Sequence, residues 1–303
     1  MSHNHSHRHH SHSHSNSNIG ITIVLNIAVT VAQIVGGIIS GSTALLSDAA
    51  HNFSDVFALI ISYAAKKLSG REKTETKTFG FKRAEIFAAF INSSVLIGIA
   101  VVLLIEGVKH FINPVSVDAD LVIILAGLSI LLNGLSVLLI KKEAEDSINM
   151  KSAYLHLFSD MLTSVAVVAG GLAMKYFNLY RIDAFLTVFI ALYLIFMSFG
   201  IFKDTVKILM QFVPEGINIA NIAEDISKIE NVKNAHHIHV WQLNEHEIMF
   251  EAHIDTEKDI NISDFEKILQ EIKHILKKYD INHCNIQPEF AVKDDKQIIN
   301  SKH

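Results

Sequence analysis

Ser47-Asp48-Ala49-Ala50-His51-Asn52-Phe53-Ser54-Asp55 sets a histidine and an aspartate four residues apart inside an apolar run, and His156-Leu157-Phe158-Ser159-Asp160 repeats the arrangement later in the chain. On a helix, positions i and i+4 lie on one face about a turn apart, so each stretch presents an imidazole beside a carboxylate. The flanking sequence reads as membrane-spanning. One ionised Asp at the centre of such a helix costs roughly 2.5–3.5 kcal/mol. Two of them call for compensation, and a divalent cation shared by two His and two Asp supplies it.

Working outward, six apolar segments each come close to the ~20 residues that cross a bilayer. They run over Ile19–Ile39, Ala44–Ala65, Ala84–Val108, Leu121–Ile140, Ala153–Phe177 and Ala184–Phe202. Positive charge orients them. Lys66, Lys67, Arg71, Lys73, Lys77, Lys82 and Arg83 fill the second connection, Lys141, Lys142 and Lys151 the fourth, and Lys203 and Lys207 follow the last segment. The opposite connections carry little beyond Lys109, Lys175 and Arg181. Both termini are therefore expected on the cytoplasmic side. At ~1.5 Å per residue, His51 lies about 10 Å and Asp55 about 16 Å below the outer surface, while His156 lies about 9 Å and Asp160 about 15 Å above the inner one. In a core of ~30 Å the two antiparallel pairs overlap, with His51 level with Asp160.

After Val213-Pro214-Glu215-Gly216 the sequence turns polar and amphipathic. Ile217–Ile229 reads as a helix, and His236–Leu243 and Glu247–Asp255 as alternating strands around a turn. Ser263-Asp264-Phe265-Glu266 reads as a capping box opening a helix to about Tyr279, and His283–Gln287 as a last strand. This αββαβ order predicts a small ferredoxin-like α+β domain, with its helices on one face of the sheet. The expected organisation is a His-rich, disordered tail over 1–18, a six-helix membrane domain over 19–208, a cytoplasmic domain over 209–290 and a disordered tail over 291–303.

The composition agrees. A chain that is 50% hydrophobic with a mean hydropathy of +0.32 suits a membrane domain joined to a soluble one. A net charge of −5 leaves no basic footprint for nucleic acid. The single cysteine, Cys284, excludes an intrachain disulfide. The 18 histidines direct attention to metal. The opening Met-Ser-His-Asn-His-Ser-His-Arg-His-His tract has no apolar core and is not expected to be a signal peptide. His-rich tracts of this kind bind metal loosely.

Several motifs together resemble the cation diffusion facilitator family. Phe79-Gly80-Phe81-Lys82-Arg83-Ala84-Glu85 through Asn92 resembles the start of that family's third helix, Ser47–Asp55 its second-helix motif, and Asn149–Asp160 its fifth-helix motif. Val213-Pro214-Glu215, His236–Trp241 and Ile286-Gln287-Pro288-Glu289 are similar to its cytoplasmic domain. The resemblance implies a homodimeric exporter of divalent metal in the plasma membrane, driven by inward proton flow. It assigns His51, Asp55, His156 and Asp160 to the transport site, in the form typical of the zinc-transporting subgroup. It favours His236, His253, His283 and Glu289 as a regulatory metal site in the cytoplasmic domain. The chain departs from the family in carrying Gln33 where an acidic residue is frequent in the first helix. A charge lock between Arg83 and Asp204 is a further expectation.

The donor chemistry is compatible with zinc and argues against Mg and Ca, while Co, Ni, Cu and Cd stay open. Zinc takes four N and O ligands tetrahedrally, whereas Mg and Ca want six or more oxygens. Neutral imidazole binds metal and imidazolium does not, so protons and metal compete and antiport follows, with helices two and five rocking to alternate access. Strict strand alternation puts His237 and His239 on one face and His236 on the other. Asp48 reads as a helix-start residue. Two other functions compete: a broader Zn/Co/Cd exporter, and a membrane sensor that binds metal without moving it. An intramembrane metalloprotease would need a His-Glu-x-x-His motif, which the sequence lacks.

Overall fold

The computed structural model describes the backbone of residues 13–146, 148–244, 246–293 and 295–299, and most of their side chains; those of 13–23 and 142–157 are among the exceptions. The His-rich tract over residues 1–12 lies outside the described residues.

Six long helices come first: α1 (Ser13–Ser40), α2 (Thr43–Ser69), α3 (Ala84–Ile112), α4 (Ala119–Asp146), α5 (Ile148–Phe177) and α6 (Arg181–Leu209). Five have spans long and apolar enough to cross a membrane, and α1 contributes the shorter apolar stretch Asn26–Ser40. Two boundaries differ from expectation. Helix α1 begins at Ser13, inside the segment expected to be disordered, because no proline separates it from the apolar run. Lys141, Lys142 and Lys151 lie on extensions of α4 and α5 rather than in a loop. The sequence there is rich in Lys and Glu and free of Gly and Pro, which favours helix.

The helices divide their surfaces in the sense a membrane demands. Large apolar side chains such as Val35, Val102, Leu138, Phe189 and Phe196 point outward, while Gln33, Asp48, Asn52, Asn133, Asp160 and Asp183 are buried. In hydrocarbon a polar group must find its partner inside the protein. Leu45, Val122, Ala126, Val167, Met174 and Leu194 form the apolar cluster of this unit. Helix α4 packs along α5 and against α1. Gly36 permits the α1–α4 approach, since a Cβ there would fall 1.8 Å from Leu125 Cδ1. The start of α2 is held by α6. The buried Asp183 carboxylate accepts hydrogen bonds from the Thr43 backbone N–H at 2.9 Å and that of Ala44 at 3.3 Å, and Ser42 Oγ caps Leu45 N at 3.1 Å. Asp48, well inside the helix, is therefore not its starting residue.

Backbone contacts divide the chain into two units. One contains the chain up to Ile61 with Ile91–Gly200, and the other Ser62–Phe90 with the chain from Ile201 onward. The second unit contains α7 (Ile219–Ser227), β1 (Val232–Gln242), β2 (Ile248–Thr256), α8 (Ile262–Lys277) and β3 (His283–Glu289), the αββαβ order read from the sequence. The sheet runs β1-β2-β3, with β1 antiparallel and β3 parallel to β2. Ile222 and Ile226 of α7 and Ile268, Ile272 and Leu276 of α8 cover Val240, Phe250, Ala252 and Ile254 on one face. Asn261, not Ser263, caps α8: its side chain accepts from Asp264 N at 2.9 Å and returns a bond to the Asp264 carboxylate. The tail expected to be disordered is partly tied down, since His237 N and Ile238 N donate to the carbonyls of Gln297 and Ile298 at 3.1 and 2.8 Å. Strand β1 is an edge, and these bonds pair amides that would otherwise be open.

Candidate metal sites

In the first unit, His51 of α2 and Asp160 of α5 face one another, with Nε2 and Oδ1 3.1 Å apart. Asp55, one turn beyond His51, lies 3.9 Å from its Nδ1. Donor atoms of His51, Asp55 and Asp160 all fall within 4.8 Å of one another. Ligands of a tetrahedral zinc with bonds of about 2.1 Å sit roughly 3.4 Å apart, so the three donors lie close to, but not yet at, the spacing of one ion's ligands. Asp160 is buried and His51 is largely so. His156 lies on α5 one turn before Asp160, and its side chain falls outside the described residues.

A polar layer that the sequence reading missed supports this cluster. Asp48 is 1% exposed, and its Oδ2 accepts from Gln33 Nε2 at 2.6 Å and Ser164 Oγ at 3.0 Å. Asn52 Nδ2 donates in turn to Gln33 Oε1 at 3.0 Å. Gln33 thus holds α1 to α2 by hydrogen bonds. The signal was available in the spacing: Asp48, His51, Asn52 and Asp55 form a 3-4 stripe, and Ser164 follows Asp160 by four.

The second cluster lies on the sheet face away from α7 and α8. His236 and His253 are cross-strand partners with ring centroids 5.5 Å apart. Glu289 at the end of β3 reaches both, His236 Nε2 at 3.3 Å and His253 Nδ1 at 2.7 Å. The last contact is close but not aligned as a hydrogen bond, which suits two donors facing a shared cation. The expectation that His236 points away from its neighbours is corrected by a bulge. His237 takes φ +50°, and the register slips between His236 and His239, so that His236 joins His239 on the face opposite the apolar core. His283 does not join the trio. It opens β3 opposite Met249, six residues or about 20 Å of strand from Glu289. Asp255 and Lys296, which the sequence reading did not select, do: Lys296 Nζ lies 2.9 Å from Glu289 Oε2 and 3.0 Å from Asp255 Oδ1.

The expected Arg83–Asp204 lock is replaced by another. Among the described residues Asp204 lies 3.9 Å from Lys207, and the connection between α2 and α3 reaches the turn between β1 and β2 through a Lys82–Glu247 ion pair.

Apolar helices that bury a histidine–carboxylate cluster between α2 and α5, followed by a small α+β domain with a second such cluster, define a multi-pass membrane protein built to handle metal cations. The comparisons name the family. Residues 19–210 match the Cation efflux transmembrane domain, and residues 214–291 match the Cation efflux protein, cytoplasmic domain. The chain belongs to this family of metal exporters, the cation diffusion facilitators. It is 31% identical over 86% of its length to a "Cadmium, cobalt and zinc/H(+)-K(+) antiporter" of Bacillus subtilis (strain 168), of which the match covers 84%. It is 31% identical, over 86% of its own length and 82% of the relative's, to the "Metal cation efflux system protein CzcD" of Cupriavidus metallidurans. It is 30% identical, over 86% and 83%, to the "Zinc transporter ZitB" of Escherichia coli K12.

Proposed function

We propose that this protein moves Zn²⁺ out of the cytoplasm in exchange for protons, by alternating access through His51, Asp55, His156 and Asp160. The observation that carries this reading is the 3.1 Å approach of His51 to Asp160 across two apolar helices. It brings a neutral-capable imidazole and two carboxylates to one point in a medium that does not tolerate lone charge. Zinc suits that donor set, and protons compete for the same atoms. The names of the relatives, zinc transporter and antiporter, support the same chemistry. Residues 19–208 carry transport in this reading. Residues 209–290 form a cytoplasmic domain through which a homodimer assembles, with His236, His253 and Glu289 as its regulatory metal ligands. The protein sits in the plasma membrane with both termini in the cytoplasm. A second reading, export of cadmium and cobalt as well as zinc, is favoured by the names of the Bacillus and Cupriavidus relatives.

Purified protein in sealed vesicles, loaded with a zinc dye and a pH dye, tests the exchange. An imposed pH gradient should drive zinc against its own gradient and be dissipated by it. Zinc passing only downhill, with the pH gradient untouched, would replace the antiporter with a channel; bound zinc with no flux would replace it with a sensor. Cadmium and cobalt in the same vesicles separate the narrow from the broad exporter.

A further inference from the structure

Asp255 and Glu289 are cross-strand partners, both nearly fully buried. Two carboxylates set side by side repel unless a cation lies between them. In this structure the cation is the Lys296 ammonium, 3.0 Å from Asp255 Oδ1, 2.9 Å from Glu289 Oε2 and 3.4 Å from the fully buried His236 Nε2. The lysine is held there by its own backbone neighbourhood. The bulge at His237 turns two successive amides outward, and Gln297 and Ile298 accept from them.

We propose that Lys296 is a built-in competitor for the cytoplasmic metal. Its ammonium bonds Glu289 and crowds His236 Nε2, two of the three donors that a divalent cation held by His236, His253 and Glu289 would need, so the site fills only when the lysine leaves and the segment around Gln297 and Ile298 lifts from the edge of β1. This rests on the reading of His236, His253 and Glu289 as a metal site. The charges make the two cations exclusive. Two carboxylates balance one Zn²⁺, and an ammonium retained within hydrogen-bond reach would be repelled by it. Asp255 then remains beside the ion as a second carboxylate, next to the His236, His253 and Glu289 donors. The lysine sets the zinc concentration at which the site fills, and its departure exposes the β1 edge and the apolar surface of Val213, Ile217 and Ile219 that lines one groove with Ile298 and Ile299.

Hydrogen exchange on the full-length protein in detergent, with and without Zn²⁺, tests this. Zinc should speed exchange at His237 and Ile238 in the unmodified protein. In Lys296→Gln these amides should exchange fast without zinc, and the site should fill at about tenfold lower zinc, the size of losing one hydrogen bond to a charged group. Lys296→Gln/Asp255→Asn keeps the local charge of the unmodified site and should lose that gain. If Lys296→Gln does not fold, the zinc response of the unmodified protein decides alone. Bound zinc that His253→Ala removes, with exchange at His237 and Ile238 unchanged or slowed, overturns the competitor and leaves the metal site standing. Bound zinc that His253→Ala does not reduce overturns both.

Discussion

At the scale of single residues, the membrane cluster depends on charges that need a partner. Asp160 is 1% exposed and faces His51, so replacing it removes both a ligand and a countercharge. Asp160→Ala and His51→Ala are each expected to abolish zinc flux in proteoliposomes while dimers still form in cross-linking. Flux at the unmodified rate from either would remove these residues from the transport path. Cys284 offers a prediction in the cytoplasmic domain. Burial pushes its thiol above the usual range, with Lys273 pulling weakly the other way. The folded state therefore holds the proton more firmly than the unfolded chain does. Its contribution to stability is complete below the unfolded thiol pKa and is lost as pH rises past it. Labelling should be slower than for a free thiol near neutral pH and rise only at higher pH, with no other cysteine to confuse the reading. The approach of His51 to Asp160 was legible because the i,i+4 rule needs only spacing and depth counting set the two level, whereas the His156 side chain lies outside the described residues. Asp255 and Lys296 were not legible, since what brings them together is strand register and the path of the tail.

At the scale of elements, the sequence carried types and order better than boundaries. Apolar run lengths marked six helices, and alternation marked the strands. A bulge breaks alternation, and nothing in the run from His236 to Trp241 signals that His237 adopts a left-handed backbone. That one conformation decides which face His236 presents. The cap of α8 was misread by two residues because Asn261 and Ser263 are both good N-caps, and only the bond to Asp264 N separates them. Helix packing yields a prediction of its own. A Cβ at Gly36 would meet Leu125 Cδ1 at 1.8 Å, so either the Leu125 side chain turns away or the helices part. Gly36→Val is expected to force α1 from α4, at a cost of about 1–3 kcal/mol. Thermal unfolding in detergent should show the loss, and Gly36→Val combined with Leu125→Ala should recover part of it. An unchanged transition in the single variant would mean that α1 does not depend on this contact.

At the scale of the whole molecule, the division into units cuts through α2, α3 and α6 rather than falling at the polar boundary after α6. The ends of these helices belong with the αββαβ domain, and Lys82–Glu247 is one charged tie within that unit. Both side chains are partly exposed, so the pair contributes at most about 1 kcal/mol and is weakened by salt. Its value lies in fixing the α2–α3 connection to the turn between β1 and β2, not in stability. If a metal signal from the cytoplasmic cluster reaches the helices through this turn, Lys82→Glu should leave the melting transition nearly in place yet uncouple zinc flux from occupancy of the cytoplasmic site. The exchanged pair Lys82→Glu/Glu247→Lys should restore the coupling. Flux is to be measured over a range of cytoplasmic zinc in all three proteins, at low and high salt. Equal zinc dependence in the single variant and the unmodified protein would reduce the pair to an ordinary surface contact. Loss in both the single and the exchanged variant would show that the lysine acts through something other than Glu247.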